Sequence, residues 1–368
     1  MTEPIVSPWR EDLPEIDSAD LERRRRLPES LLEALRRHGF LRLVIPRRYG
    51  GREGDLRFVI DRLCDLAQRD ASTAWNVMVW VQGQIVLARL PLATYERVLA
   101  NGPDVPVAAT AVGSGRLRPE GQGLRLTGRW SLTSGITHSR WVLVHCDLDD
   151  GESSRMVGAL LPREAVEVED VWHVLGLRAT GSNVIHARKV RLAHTDLYDL
   201  DGDICATATA HSRLPIRPSF SLHQGAVALG TAEGAVADLL AQFADKGVAP
   251  GGDGDRQALL RLELGTHRAD LDAAKATLLS YADTAWERAS QHQPLEEKTH
   301  HGMWAAGAHG VRVASEVVQW CFRMSGPAGL YDGHPLQRRL RDMFTIAQHG
   351  NVAPSHSASL GGALLAGE

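Results

Sequence analysis

Several histidine and hydroxyl side chains in this chain could take part in catalysis or ligand binding. The stretch Gln348-His349-Gly350-Asn351 carries an imidazole, which titrates near neutral pH and can exchange a proton with a substrate hydroxyl. A lone histidine on a helix is often only a packing residue, so that interpretation stays open. We predict that His349 acts as a general acid or a general base.

A second group of polar residues surrounds a predicted turn at Thr133-Ser134-Gly135. His138 follows this turn, where it either reaches a ligand or caps the next strand. Judged by residue type alone, Ser134 is an ordinary turn residue and Trp130 an ordinary core residue. The sequence therefore offers a hydroxyl and an imidazole that are close along the chain, with a structural and a functional reading for each.

Motifs for metals and nicotinamide cofactors are missing from the sequence. The four cysteines lack CxxC spacing, and the sixteen histidines form no HExxH pattern, so we predict no bound metal. Gly113 and Gly115 lack the rest of a GxGxxG fingerprint. The cysteines are expected to be core residues.

The composition is that of an ordinary globular protein, with 43% apolar residues, 23% charged residues and a net charge of −4. A chain of 368 residues is long enough for one large core or for two or three packed domains. The balance of charge does not suggest nucleic acid. No run approaches the roughly 18 apolar residues of a membrane span, and no signal peptide is recognisable, so we expect a cytoplasmic protein.

The elements that position these residues fall into three segments. Residues 1–104 carry helical patterns, including Leu56 to Gln68 and Ala71 to Leu87. Residues 105–218 alternate with period two between glycine turns, which predicts a β-barrel or sandwich. Residues 219–368 predict four long helices joined as a bundle, and the last of these would run from Pro335 to Leu365. The predicted fold class is therefore mainly α with a β-barrel middle domain.

This order of elements, with motifs near the C-terminus, resembles the acyl-CoA dehydrogenase superfamily over essentially the whole chain. Ser325-Gly326, His334-Pro335 and Arg341-Asp342 stand in the family's register. Counted from Arg341-Asp342, His349 falls on the family's tyrosine and Gly350 on its catalytic glutamate. Glycine has no proton acceptor, so the dehydrogenase base is missing.

Two further stretches resemble the flavin monooxygenase branch of this fold, which includes phenol hydroxylases, amino-sugar N-oxygenases and the dibenzothiophene monooxygenase. One is Gly128-Arg-Trp-Ser-Leu-Thr-Ser-Gly135, continued by His138 and Trp141. The other is Trp172-His-Val-Leu-Gly-Leu-Arg-Ala-Thr-Gly-Ser182. The resemblance implies a monooxygenase that takes reduced FMN or FAD from a separate reductase and forms a C4a-hydroperoxyflavin with O2. Its substrate would be a small aromatic compound or an amine.

The resemblance also implies roles for single residues. Ser134 would lie near flavin N5 and His349 would assist as acid or base, with His138 within reach of substrate or flavin. The residues implied in cofactor binding are Ala109, Thr110, Ser114, Trp130, Thr133, Ser134, Arg178, Arg256, Gly326 and Asn351. Arg178 would hold a phosphate or pair with an acid, and Arg256 would reach the flavin of a neighbouring subunit. The segment Gly247 to Gly254 replaces the usual phosphate clamp, which leaves FMN and FAD both open.

Two other functions stay open at this point. The chain would be an acyl-CoA dehydrogenase if its base had moved to another helix, for example to Glu263, or it would be a non-catalytic relative of the fold. In the resembled fold the bundle is a tetramerisation surface, so the resemblance also implies a homotetramer.

Overall fold

The computed structural model describes residues 13–149, 151, 154–199, 209–245, 247 and 255–367. The chain divides into two compact units. The first unit comprises Met1–Glu53, Val79–Trp172 and Arg178–Thr207, and the second comprises Gly54–Met78, His173–Leu177 and Ala208–Glu368. The division into segments 1–104, 105–218 and 219–368 stays a prediction.

The described part of the first hundred residues contains five α-helices: α1 Ser18–Arg24, α2 Glu29–Arg37, α3 Leu56–Arg69, α4 Ala71–Leu87 and α5 Leu92–Leu99. The predicted bounds of α3 and α4 agree with the structure to within a residue. Helix α1 begins after Asp17, whose carboxylate accepts a hydrogen bond from the backbone N–H of Asp20 at 3.0 Å. Arg23 and Arg24 pair with the Asp20 carboxylate, as expected of a solvated helix face.

One eight-stranded sheet makes up the β part of the first unit. Its strands are β1 Val107–Thr110, β2 Gly113–Glu120, β3 Gly123–Thr133, β4 Trp141–Asp149, β5 Ser154–Pro162, β6 Glu167–Glu169, β7 Asn183–Leu192 and β8 Leu197–Tyr198. The strand order is β6-β7-β3-β2-β4-β5-β8, with β1 parallel to β4. Alternate side chains such as Leu126, Val144 and Ile185 fill a common core, as the period-two pattern predicts.

The second unit is helical, with α6 Ala210–Arg213, α7 Ile216–Asp245, α8 Asp255–Ser290, α9 Glu297–Ser325, α10 Pro335–Ile346 and α11 Ser355–Ala366. Helices α7 and α9 approach each other closely at glycines. A Cβ atom on Gly307 would lie 2.4 Å from the carbonyl oxygen of Ser221, so only glycine fits there. The predicted order of helices, β domain and helical bundle is confirmed.

The prediction of one last helix from Pro335 to Leu365 is wrong. The chain leaves the helical path after Ile346 and resumes it at Ser355. Pro354 has no N–H for a preceding helix, and Gly350 is a weak helix former, so both residues favour a break. The predicted connection from Asp199 to Pro218 is also too long, because α7 already begins at Ile216. Residues 200–208 of that connection lie outside the described residues.

Among the described helices, none has the length and apolar character needed to cross a membrane.

Candidate active site

A chain of three hydroxyl groups links two turns of the first unit. The Ser134 Oγ lies 2.6 Å from the Ser182 Oγ, which lies 2.7 Å from the Thr180 Oγ1. The backbone N–H of Gly135 donates to the Thr180 carbonyl at 2.8 Å, and Gly135 has φ 72°, which glycine adopts without strain. The turn that follows β3 is thereby held against the turn that precedes β7. Ser134 is thus a fixed hydroxyl rather than a freely rotating one.

Thr133, next to Ser134, is fully buried, and its Oγ1 has no hydrogen-bond partner. A buried hydroxyl that makes no hydrogen bond is unfavourable, so a bound polar group that pairs with it would be stabilised. The heteroatoms at the edge of an isoalloxazine ring are groups of this kind. The residues at this turn therefore fit a flavin.

Trp130 and Thr110 hold the neighbouring strands together. The Trp130 indole is fully buried in the core of the sheet, and its Nε1 donates to the His145 carbonyl at 2.7 Å. The Thr110 hydroxyl donates to the Ser131 carbonyl at 2.8 Å and accepts from the Val112 N–H at 3.2 Å. The side chains of Trp130 and Thr110 thus have structural partners.

His138 packs inside the first unit. Its Nε2 accepts a hydrogen bond from the Leu27 backbone N–H at 3.1 Å, and its ring lies edge-on to Trp80. Burial lowers the pKa of His138 from 6.5 to about 4, with the charge of Arg26 acting in the same direction. His138 is therefore a neutral hydrogen-bond acceptor that joins the loop before α2 to the turn after β3.

His349 lies on the loop between α10 and α11 in the second unit. Its ring packs against Trp75 and Phe220, at centroid distances of 5.9 and 5.6 Å. The backbone N–H of Asn351 donates to His349 Nδ1 at 3.2 Å. Burial lowers the pKa of His349 from 6.5 to about 4, so the ring is neutral at physiological pH. Because Nδ1 accepts the hydrogen bond from Asn351, Nε2 carries the ring proton and His349 presents an N–H donor.

No carboxylate occupies the position of the missing dehydrogenase base. Gly350 follows His349, is exposed, and a Cβ atom built on it would meet nothing within 4 Å. Glu263, considered above as a relocated base, accepts a hydrogen bond from the Trp320 indole at 3.0 Å within the bundle. That contact gives Glu263 a structural role between α8 and α9.

The other predicted cofactor residues are dispersed. In the first unit, Ser114 is exposed on β2, Ala109 is half-buried on β1, and Arg178 opens a short 3-10 turn. In the second unit, Gly326 ends α9 with φ 65°, and Arg256 is the second residue of α8. The Arg256 side chain and most of the preceding loop lie outside the described residues. Of these residues, Thr133 and Ser134 lie together in the first unit, and His349 and Asn351 lie together in the second unit.

Three polar residues of α7 were not predicted from the sequence. Ser219, His223 and Gln224 are buried, and Ser219 Oγ, both His223 nitrogens and both Gln224 amide atoms lack hydrogen-bond partners. Two adjacent polar side chains inside a run of small and apolar residues, Leu222-His-Gln-Gly-Ala-Val227, are a signal for the burial of His223 and Gln224.

Across the described ranges, no group of three or more histidine, cysteine, aspartate or glutamate side chains is arranged to hold a metal ion.

Comparison with known proteins shows which proteins this chain is similar to. Residues 222–354 match the family model "Acyl-CoA dehydrogenase, C-terminal domain". The chain is 25% identical to the indole-3-acetate monooxygenase of Pseudomonas putida, over 90% of this chain and 85% of that protein. It is 27% identical to the flavin-dependent monooxygenase oxygenase subunit HsaA of Rhodococcus jostii strain RHA1, over 90% of each chain.

The fold has close counterparts among solved structures. XiaF from a Streptomyces species, solved with FADH2 and glycerol, superimposes with a TM-score of 0.87, although only 22% of residues are identical. The alignment covers 97% of this chain and 92% of XiaF. The chain therefore has the acyl-CoA dehydrogenase fold and is a homologue of the oxygenase components of two-component flavin-dependent monooxygenases.

Proposed function

We propose that this protein is the oxygenase component of a two-component flavin-dependent monooxygenase that acts on a small aromatic substrate. Reduced flavin and O2 would convert the substrate to its hydroxylated product, with the second oxygen atom released as water and the flavin left oxidised. The observation that carries the proposal is the loop between α10 and α11, where neutral His349 and Gly350 stand in place of a carboxylate.

The turn after β3 supports the flavin part of the proposal. Bound flavin supplies the oxygen chemistry, and the protein binds the ring, orients it and excludes water. The unpaired Thr133 hydroxyl offers one hydrogen bond to the ring, and Ser134 offers a second from a fixed position. In the resembled branch this serine lies near flavin N5, and a role there is part of the proposal.

The environment of His349 supports hydrogen-bond donation rather than proton removal. A ring with a pKa of about 4, whose Nδ1 already accepts from Asn351, is a weak base at neutral pH. Its Nε2–H can stabilise negative charge that develops on an oxygen atom in the transition state. The proposed role of His349 is therefore that of a hydrogen-bond donor. This role is more specific than the general acid or base role predicted from the sequence.

The test of the function is incorporation of labelled oxygen. The purified protein is mixed with photoreduced FMN or FAD, 18O2 and an aromatic probe such as indole-3-acetate or resorcinol, and the products are analysed by mass spectrometry. We expect a product that carries one 18O atom per molecule. Hydrogen peroxide as the sole product with every probe would overturn the proposal and favour a non-catalytic relative. Bleaching of bound oxidised flavin by an acyl-CoA without O2 would favour a dehydrogenase.

A separate flavin reductase would supply FMN or FAD, and the protein would act in the cytoplasm. Exposed leucines on α8, Leu259 and Leu262, support a homotetramer formed through the bundle. Light scattering coupled to size exclusion measures the oligomeric state, and a monomer would contradict it.

A further inference from the structure

Polar side chains are buried on α7 without hydrogen-bond partners, one turn from the ring that contacts His349. His223 and Gln224 are fully buried, and Ser219 is 3% exposed. None of their side-chain nitrogen and oxygen atoms has a hydrogen-bond partner. Proteins rarely leave so many adjacent buried polar atoms unpaired, because each has lost its bonds to water. Such a cluster indicates a bound group that supplies the missing partners.

The spacing places His223 and Gln224 on the side of α7 that faces His349. Residues three and four apart share one face of a helix, so His223 and Gln224 lie one turn beyond Phe220 on its side. The ring of Phe220 packs edge-on against the ring of His349, at 5.6 Å. Adjacent residues on a helix do not face each other, so His223 and Gln224 are unsuited to pair with one another.

The charges around the cluster define the chemistry of its ligand. Burial lowers the pKa of His223 from 6.5 to about 3, and the neighbouring His211 acts in the same direction, so the ring is neutral. His211 itself donates its Nε2–H to the Gly54 carbonyl at 2.7 Å. A neutral imidazole and an amide each offer one donor and one acceptor type. A hydroxyl group, which also donates and accepts, is their natural partner.

We propose that Ser219, His223 and Gln224 form a recognition subsite for a hydroxyl group on an aromatic ring, with the ring lying beside Phe220 and His349. The inference rests on the proposed function only where it calls this ligand a substrate. The subsite selects a hydroxyl group and disfavours a methyl group, which leaves the polar atoms unpaired.

The test compares two probes of the same shape, p-cresol and p-xylene, by isothermal titration calorimetry with the flavin-free protein. We expect p-cresol to bind at least about tenfold more tightly, since a site with buried polar groups rejects a ligand that lacks the hydroxyl. The variant Gln224→Met keeps the side-chain volume and removes the amide, so the preference should fall to nearly one. Equal binding of the two probes by the unaltered protein would overturn the proposal.

Two further variants test whether the preference for p-cresol depends on the polar side chains of this cluster. His223→Leu removes the imidazole and should also abolish the preference for p-cresol. Thr231→Val is the matched control on the same helix, because Thr231 is fully buried but its hydroxyl already donates to the Val227 carbonyl at 2.8 Å. The control should keep the preference, and its loss there would count against the subsite.

Stability measurements guard against misfolded variants. If Gln224 is unpaired until ligand binds, Gln224→Met should melt no lower than the unaltered protein without ligand, since no native hydrogen bond is removed. A markedly lower melting temperature would show that the amide is satisfied inside the protein and would overturn the proposal. The calorimetric preference does not depend on oxygenation, so failure of 18O incorporation and failure of the subsite are separate results.

Discussion

At the residue scale, His349 shows how burial and one backbone contact restrict the chemistry of an imidazole. Trp75 and Phe220 surround the ring with apolar surface, and this keeps the ring neutral. The Asn351 N–H then occupies Nδ1, which leaves the proton on Nε2. Residue type alone allows acid, base and packing roles, whereas this geometry favours a neutral donor.

The donor role of His349 predicts different outcomes for two substitutions. Glutamine retains an N–H donor but cannot transfer a proton, so His349→Gln should keep kcat/KM for hydroxylation within about tenfold. Leucine has no donor, and His349→Leu should lower kcat/KM about a hundredfold, as loss of one transition-state hydrogen bond does. Product formation is measured at saturating reduced flavin. Equal losses in both variants would instead indicate proton transfer, and His300→Gln on α9 is the control for loss of a surface histidine.

At the element scale, α10 holds a loop that the sequence alone does not connect with it. The Asp342 carboxylate accepts from the Leu177 N–H, and Arg341 Nη1 donates to the Leu175 carbonyl at 2.8 Å. Arg341 and Asp342, which match the Arg-Asp pair of the family motif, therefore have a structural role. It fixes residues 173–177 against the helix that precedes His349.

Gly176 is the point of closest approach between this loop and α10. A Cβ atom at Gly176 would lie 2.2 Å from the Arg341 carbonyl oxygen, which is backbone and cannot rotate away. Gly176→Ala should therefore lower the free energy of unfolding by about 1–3 kcal/mol, the usual effect of overpacking. The matched control is Gly333→Ala, because a Cβ atom there meets nothing within 4 Å. Urea unfolding of both variants measures the difference, and equal stabilities would contradict this account.

Periodicity predicted most elements, but contacts between distant residues decide the site. Helix α4 and strands β3 and β4 follow from apolar patterns that are local in the sequence. The break between α10 and α11 was predictable from Pro354 and was missed. The contact of His138 with Leu27, by contrast, joins residues 111 positions apart and has no local signal. Ser219, His223 and Gln224 were missed because the helical pattern shows their burial but not their lack of partners.

At the scale of the whole molecule, both units contain histidines that burial keeps neutral. The pKa values of His138 and His349 are lowered to about 4, and that of His223 to about 3. In the unfolded chain each ring titrates near its ordinary pKa of about 6.5. Below that pH the unfolded chain binds protons that the folded protein does not, so acid favours unfolding.

The buried histidines therefore predict the sign and the range of the pH dependence of stability. Their contribution is fully present above pH 6.5 and is lost as the pH falls toward about 4, at up to about 1.4 kcal/mol per pH unit for each ring. His138→Gln should reduce this slope between pH 6.5 and 5, because the amide oxygen can still accept from Leu27 but does not titrate. Urea unfolding at several pH values measures the slope, with the exposed residue His194→Gln as the parallel control. If His138→Gln and the unaltered protein lose stability at the same rate, His138 is already protonated in the folded state at pH 5.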